Sequence, residues 1–180
     1  MRRIGLSMIV AASVFVLEAP GSAQQRASQP ISDQVFVSQV AMINMGEIQV
    51  GHLATERAEH ASVKAFARDM VDAHIRSQNA LADAAEGGGV QWPKALDATH
   101  AEMKARLSTL RGDAFDREYM KVMVDGHRDA EKTLAARVAA PTSSGPLAAS
   151  VNDWSAKTLT EVRAHLKKAE EISADLSKAR

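Results

Sequence analysis

Val63-Lys64-Ala65-Phe66-Ala67-Arg68-Asp69-Met70-Val71-Asp72-Ala73-His74 decides the fold. Its apolar residues at 63, 66, 67 and 70 recur in steps of three and four, while Lys64, Arg68, Asp69 and Asp72 fill the other side. That is the period of an amphipathic helix, without the alternation of a strand. The stripe then meets an ionisable group: His74 falls where an apolar side chain belongs, and Leu81 carries the stripe on. Ser62 is the expected N-cap. The helix is expected to run to about Glu86 and to stop at Gly87-Gly88-Gly89, because glycine loses the most backbone entropy in a helix.

Working outward, three more long segments share this period. A first helix is predicted from Asp33 to Ala58 with Ser32 as cap and a stripe of Phe36, Val40, Ile43, Glu47, Val50 and Ala54. A third, opening at Asp113 as N-cap and reaching Ala139, places Phe115, Tyr119, Met123, His127, Ala130 and Leu134 inward. After a turn at Pro141 to Gly145, Pro146 suits the first position of a fourth helix, where its missing N–H costs nothing. That helix shows Val151, Trp154, Thr158, Val162, His165, Ala169, Ile172 and Leu176 on one face. Aromatic and β-branched residues are few and alanine is abundant, which favours helix throughout.

The expected fold is all-α: two hairpins joined by a long connection over 87–113, with a short helix near Thr99–Leu110. A helix of about 25 residues is roughly 38 Å long, and this connection is long enough to run back along it, leaving the second and third long helices parallel. Four helices with one long crossover is the ferritin-like connectivity, and a simple up-down bundle is the alternative.

Glu47, His74, His127 and His165 each lie on the inward stripe near the middle of a different helix. Packed together, the four helices bring these groups to one level of one core. Buried polar groups are costly unless paired, hydrogen-bonded or bound to a metal. Three imidazoles and a carboxylate suit one transition-metal ion, Zn, Cu, Fe or Ni. Glu161, one turn before His165, offers a second carboxylate, and Met70 and Met123, one turn before their histidines, offer soft ligands for Cu(I). Two other readings stand beside this one: ordinary hydrogen-bonded core histidines, and a proton-sensitive core. Gly46 and Gly126, each next to a candidate group, fit small-residue packing or close approach around a site. Asp69, Asp72, Asp116 and Asp125 read as solvated or capping residues, and His52, His60 and His100 as exposed.

Arg2-Arg3, the apolar run Ile4–Leu17 and the small residues Gly21-Ser22-Ala23 read as a secretory signal cleaved after residue 23. Glu18, so near the apolar run, keeps retention as an anchor as the alternative. Residues 24–31 form a flexible lead-in, and residues 32–178 form the bundle domain. Losing Arg2, Arg3 and Glu18 leaves 20 basic and 21 acidic residues, which gives no reason to expect nucleic acid or an anionic membrane as partner. There is no cysteine, which excludes disulfides, thiolate ligands and a cysteine nucleophile. No GxSxG, HExxH or phosphate-cradling glycine loop is present.

The stretch 63–74, together with Gly46-Glu47, Gly51-His52-Leu53-Ala54, Phe115-Asp116-Arg117-Glu118-Tyr119-Met120, Met123-Val124-Asp125-Gly126-His127, Lys157-Thr158-Leu159 and His165-Leu166, resembles the exported bacterial domain-of-unknown-function family numbered 4142. The likeness covers about residues 33–175. It implies a ferritin-like four-helix fold, a periplasmic or envelope location and no established activity; Glu47, His74, His127 and His165 match its recurrent polar positions. Thr160 stands where the family often has proline. Di-iron proteins of this fold class carry Glu-x-x-His on two helices, whereas Val71 and Val162 precede the histidines here, so standard di-iron chemistry is not expected. The leading expectation is a non-enzymatic exported bundle with a polar core site that holds one metal ion. The rivals are an envelope interaction module with a protein partner and a metal-dependent oxidoreductase in oxidative-stress defence.

Overall fold

A computed structural model describes residues 31–139 and 146–178. The expected signal at 1–23, the lead-in up to residue 30 and the turn at 141–145 lie outside the described residues. Among the described residues the regular structure is five helices: α1 (Asp33–Arg57), α2 (Ala61–Ala84), α3 (Ala98–Ser108), α4 (Gly112–Ala139) and α5 (Pro146–Lys178). The all-α expectation, the four long helices and the short one inside the connection are therefore present.

The core has two layers. One holds Val50, Ala54, Val63, Phe66, Met70, Phe115, Tyr119, Met123, Leu166 and Ile172. The other holds Phe36, Val37, Leu81, Leu134, Val151, Trp154 and Val162. The first layer takes the C-terminal half of α1, the N-terminal halves of α2 and α4, and the C-terminal half of α5. The second takes the opposite halves. Hence α1 and α5 run one way and α2 and α4 the other, and the connection with α3 returns the chain to the starting end. Each candidate residue marks the switch between layers along its own helix: His74 lies between Met70 and Leu81, His127 between Met123 and Leu134, and His165 between Val162 and Leu166. Arg137 fastens the second end, pairing with Asp33 at 2.7 Å, donating to Asn152 at 2.6 Å and lying over the Phe36 ring.

Local details differ from expectation in four places. Ser32 caps α1 as expected, its Oγ accepting from the Val35 N–H at 3.3 Å. Ser62, however, does not cap α2: the helix starts at Ala61, with His60 as an N-cap that makes no side-chain bond, and the Ser62 hydroxyl is taken up by His60 Nδ1 at 2.8 Å. The turn just before α2 is held from another helix instead. Asp116 on α4 is 1% exposed, and its carboxylate accepts from the Glu59 N–H at 3.2 Å and the His60 N–H at 2.7 Å. Asp113 lies within the first turn of α4, which opens at Gly112. Ile43 is exposed, and Asn44 takes the buried position beside it. His100 is partly buried rather than exposed, because its ring lies on the bare backbone of Gly46, where a Cβ would come within 2.4 Å of it.

Charge-assisted hydrogen bonds contribute about 1.5–3 kcal/mol each, and an orphaned buried amide adds its own penalty. Asp116→Ala is therefore expected to cost about 3 kcal/mol in urea denaturation, with little change in the slope. A loss below about 1 kcal/mol would show that this cross-helix contact contributes little.

Candidate functional site

His74 on α2, His127 on α4 and His165 on α5 meet between the two apolar layers, and Glu47 on α1 lies between the residues its own helix gives to those layers. His127 is central and 2% exposed. Its ring centre lies 5.9 Å from that of His74, with planes at 78°, and 5.6 Å from that of His165, with planes at 75°. Glu47 is buried and its Oε1 reaches the α4 backbone, where a Cβ on Gly126 would lie only 3.3 Å away. Of the two glycines beside candidate residues, Gly126 thus makes room for Glu47, and Gly46 makes room for α3.

The hydrogen bonds fix which ring atoms face the centre. His127 Nδ1 sits 2.9 Å from the Met123 carbonyl; a carbonyl only accepts, so Nδ1 carries the proton and Nε2 the lone pair. Asn44 donates from Nδ2 to Gln78 Oε1 at 3.1 Å, which turns its Oδ1 toward His74 Nδ1 at 2.9 Å. By the same reasoning His74 presents a lone pair at Nε2. Both Nε2 atoms and Glu47 Oε2 are buried and meet no hydrogen-bond partner. The Tyr119 hydroxyl, on the same inner face of α4 as His127, and Trp154 Nε1 are orphaned as well.

Burial governs the charges. It pushes the Glu47 carboxyl up to about 8, so this group is mostly protonated at neutral pH. It pushes His74 down to about 3, helped by His127 and His165. His127 falls to about 4 for the same reason, with the Met123 carbonyl acting the other way. His165 is lowered by burial, while Glu161 and Asp69 oppose that shift and Arg76 adds to it. The Tyr119 hydroxyl is raised by burial and by Glu47. At neutral pH the cluster is a carboxylic acid among neutral imidazoles, rich in lone pairs and poor in charge.

The three histidines are brought together through ring contacts, and Glu47 approaches α4 at Gly126 and Tyr119. Glu161 is not among them: it is exposed on α5 and acts on His165 through its charge. Met70 and Met123 belong to the apolar layer; Met123 contributes its carbonyl and not its sulfur. Asn44 and Tyr119 belong to the site although neither was singled out for it from the sequence. Asn44 carried a signal, since it sits on the inward face three residues before Glu47. A narrow apolar cleft, open to solvent, reaches His74 and His165 between Val40, Leu134, Trp154 and Val162.

Two imidazoles sharing a tetrahedral ion place their ring centres about 5 Å apart, from metal–nitrogen bonds near 2.0–2.1 Å. The observed spacings are somewhat wider, and among the described residues no group of three or more His, Asp or Glu side chains could hold a metal ion as it stands. Ligation therefore requires the rings to close by roughly half an ångström to one ångström, by the same geometry.

No curated protein and no solved structure matches the chain. The family model described as Domain of unknown function (DUF4142) matches residues 17–172. That span takes in α1 to α4, most of α5 and every residue of the cluster, and the chain belongs to the domain-of-unknown-function family DUF4142.

Proposed function

We propose that this is an exported, ferritin-like helical-bundle protein that holds one transition-metal ion with Glu47, His74, His127 and His165, without turnover. One observation carries the reading: two imidazole Nε2 atoms and a carboxyl oxygen lie buried at one level with no partner. Buried polar groups normally find partners, and here the opposite ring nitrogens are already tied to an amide and a carbonyl oxygen. That arrangement fixes the tautomer and orients the lone pair of a ligating histidine. Three nitrogens and one oxygen favour Zn, Cu, Fe or Ni over Ca or Mg. The parallel course of α2 and α4 and the long connection through α3 support the ferritin-like reading. The basic start and apolar run at the N-terminus support export to the periplasm or envelope.

Cobalt(II) titration of the chelated protein tests this reading. One ion per chain with tetrahedral-type absorption is expected, and His74→Ala and His127→Ala should each lose it. Absence of a saturable signal in the wild type would rule the reading out.

The apolar cleft beside His74 and His165 favours a second reading, a metal-dependent oxidoreductase with a small uncharged substrate. It predicts peroxide or oxidase turnover by metal-loaded protein; loaded protein without turnover leaves the first reading.

A further inference from the structure

The apolar cleft beside the histidines is formed by all four long helices and runs lengthwise. α5 supplies its longest wall, with Trp154, Thr158, Val162 and His165 one turn apart. From Trp154 to His165 that wall covers about 16 Å at the helical rise. α1, α2 and α4 each add about one turn, Val40 to Asn44, Ala73 to Ser77 and Ala130 to Leu134. One end is apolar, where Val40, Leu134 and Trp154 belong to the second core layer. The other end stops at His74 and His165. Asn44 holds His74 through Nδ1, and the buried Nε2 of His74 has no partner. Burial keeps that ring uncharged at neutral pH. At the rim Ile43 is apolar yet exposed. Among the described residues of the lining, the exposed Glu161 is the only charged side chain at neutral pH besides the imidazoles.

We propose that this cleft binds a neutral single-chain alcohol, its alkyl chain lying along α5 toward Trp154 and its hydroxyl at His74. The inference rests on the cleft and on the hydrogen bonding of His74, and it needs no metal ion. Shape selects the chain, because a long and narrow cleft admits a linear alkyl group more readily than a broad ring system. Burial of that chain against Val40, Leu134, Trp154 and Val162, with Ile43 covered, supplies the driving force. Small-molecule sites are commonly apolar with a few polar groups that fix orientation. The orienting group here is an acceptor: the His74 proton sits on Nδ1, facing Asn44, so Nε2 takes a hydrogen bond and the hydroxyl donates it. Charged head groups fit less well. A carboxylate has no hydrogen to donate, finds no counter-charge on a neutral imidazole, and passes Glu161 at the rim. An ammonium group at His74 would bury a charge without an anion paired to it.

The test is titration of the chelated full-length protein with octanol, octanoate and octylammonium, read at the indole N–H resonances. The chain has two tryptophans. Trp154 lines the cleft, and Trp92 is exposed on the connection and serves as an internal control; Trp92→Phe assigns the pair. Octanol is expected to shift the Trp154 resonance saturably and to leave Trp92 in place, and the two charged analogues should bind about tenfold more weakly or worse. Ala130→Leu and Thr158→Leu each put a larger side chain into the lining and should remove the saturable shift; two filling variants keep the test open if one does not fold. No saturable shift in wild type, or an equal response of Trp92, would overturn the site. Equal affinity for either charged analogue, or undiminished binding by a folded filling variant, would overturn it as well. Cobalt binding is read separately, so failure of the metal reading and failure of this one are distinguishable.

Discussion

Glu47→Gln is expected to stabilise the metal-free protein above pH 8 by on the order of 5 kcal/mol. The Glu47 carboxyl is raised from 4.5 to about 8, and each unit of difference between folded and unfolded states corresponds to about 1.4 kcal/mol. Between pH 4.5 and 8 the native protein keeps a proton that the unfolded chain releases. Stability is therefore lost as pH rises through that window, and the loss is complete above it. The histidines act with the opposite sign. His74 and His127 are lowered from 6.5 to about 3 and about 4, so below pH 6.5 the unfolded chain takes up protons that the native core refuses. Stability attributable to them is lost as pH falls from 6.5 toward those values. The chelated wild type should be most stable near pH 6–6.5, and the Gln variant should form a plateau on the alkaline side. A buried amide brings its own unsatisfied groups, which trims the gain. Urea denaturation from pH 5 to 9 in a chelator decides the matter: parallel curves for wild type and variant would show that Glu47 is not a buried acid.

Metal removal should have the next largest effect. An ion present at about a thousand times its dissociation constant stabilises the folded state by about 4 kcal/mol. For a domain of this size that corresponds to a Tm change of roughly 8–16 °C. Chelation should remove this increment from wild type, and His74→Ala and His127→Ala should lack it from the start. Tyr119→Phe should retain it, since its hydroxyl is orphaned and is not placed among the ligands. Binding also requires Glu47 to give up its proton. Glu47→Gln should thus stabilise the chelated protein and weaken the loaded one. Core histidines that only hydrogen-bond would produce no such reversal, and a Tm indifferent to chelator in all of these proteins would exclude the metal increment.

The helices were legible because burial imposes a period on sequence. The level of the cluster was legible too: a polar residue interrupting each stripe near its midpoint can meet only its counterparts once the helices align. Ile43 misled for the same reason. Its side chain is apolar, yet the inward line passes through Asn44, whose amide is held by His74 and Gln78. A stripe drawn from hydrophobicity alone slips by one residue where a buried amide replaces an apolar group. The Asp116 contact was out of reach, because its partners are the turn amides of Glu59 and His60, far earlier in the chain; local pattern does not show whose amides a carboxylate serves. His100 was hidden likewise, since its seat on Gly46 depends on where the connection lays α3 down. Glu161 shares a helix face with His165, but helical spacing does not say which of two residues one turn apart lies at the solvent edge.

The most direct test is metal content by mass spectrometry on protein purified from the cells that make it, beside His74→Ala and His127→Ala prepared in the same way. The account predicts close to one transition-metal ion per wild-type chain and a small fraction of that in each variant. Wild-type protein that is folded and metal-free, or variants that carry as much metal as wild type, would contradict it.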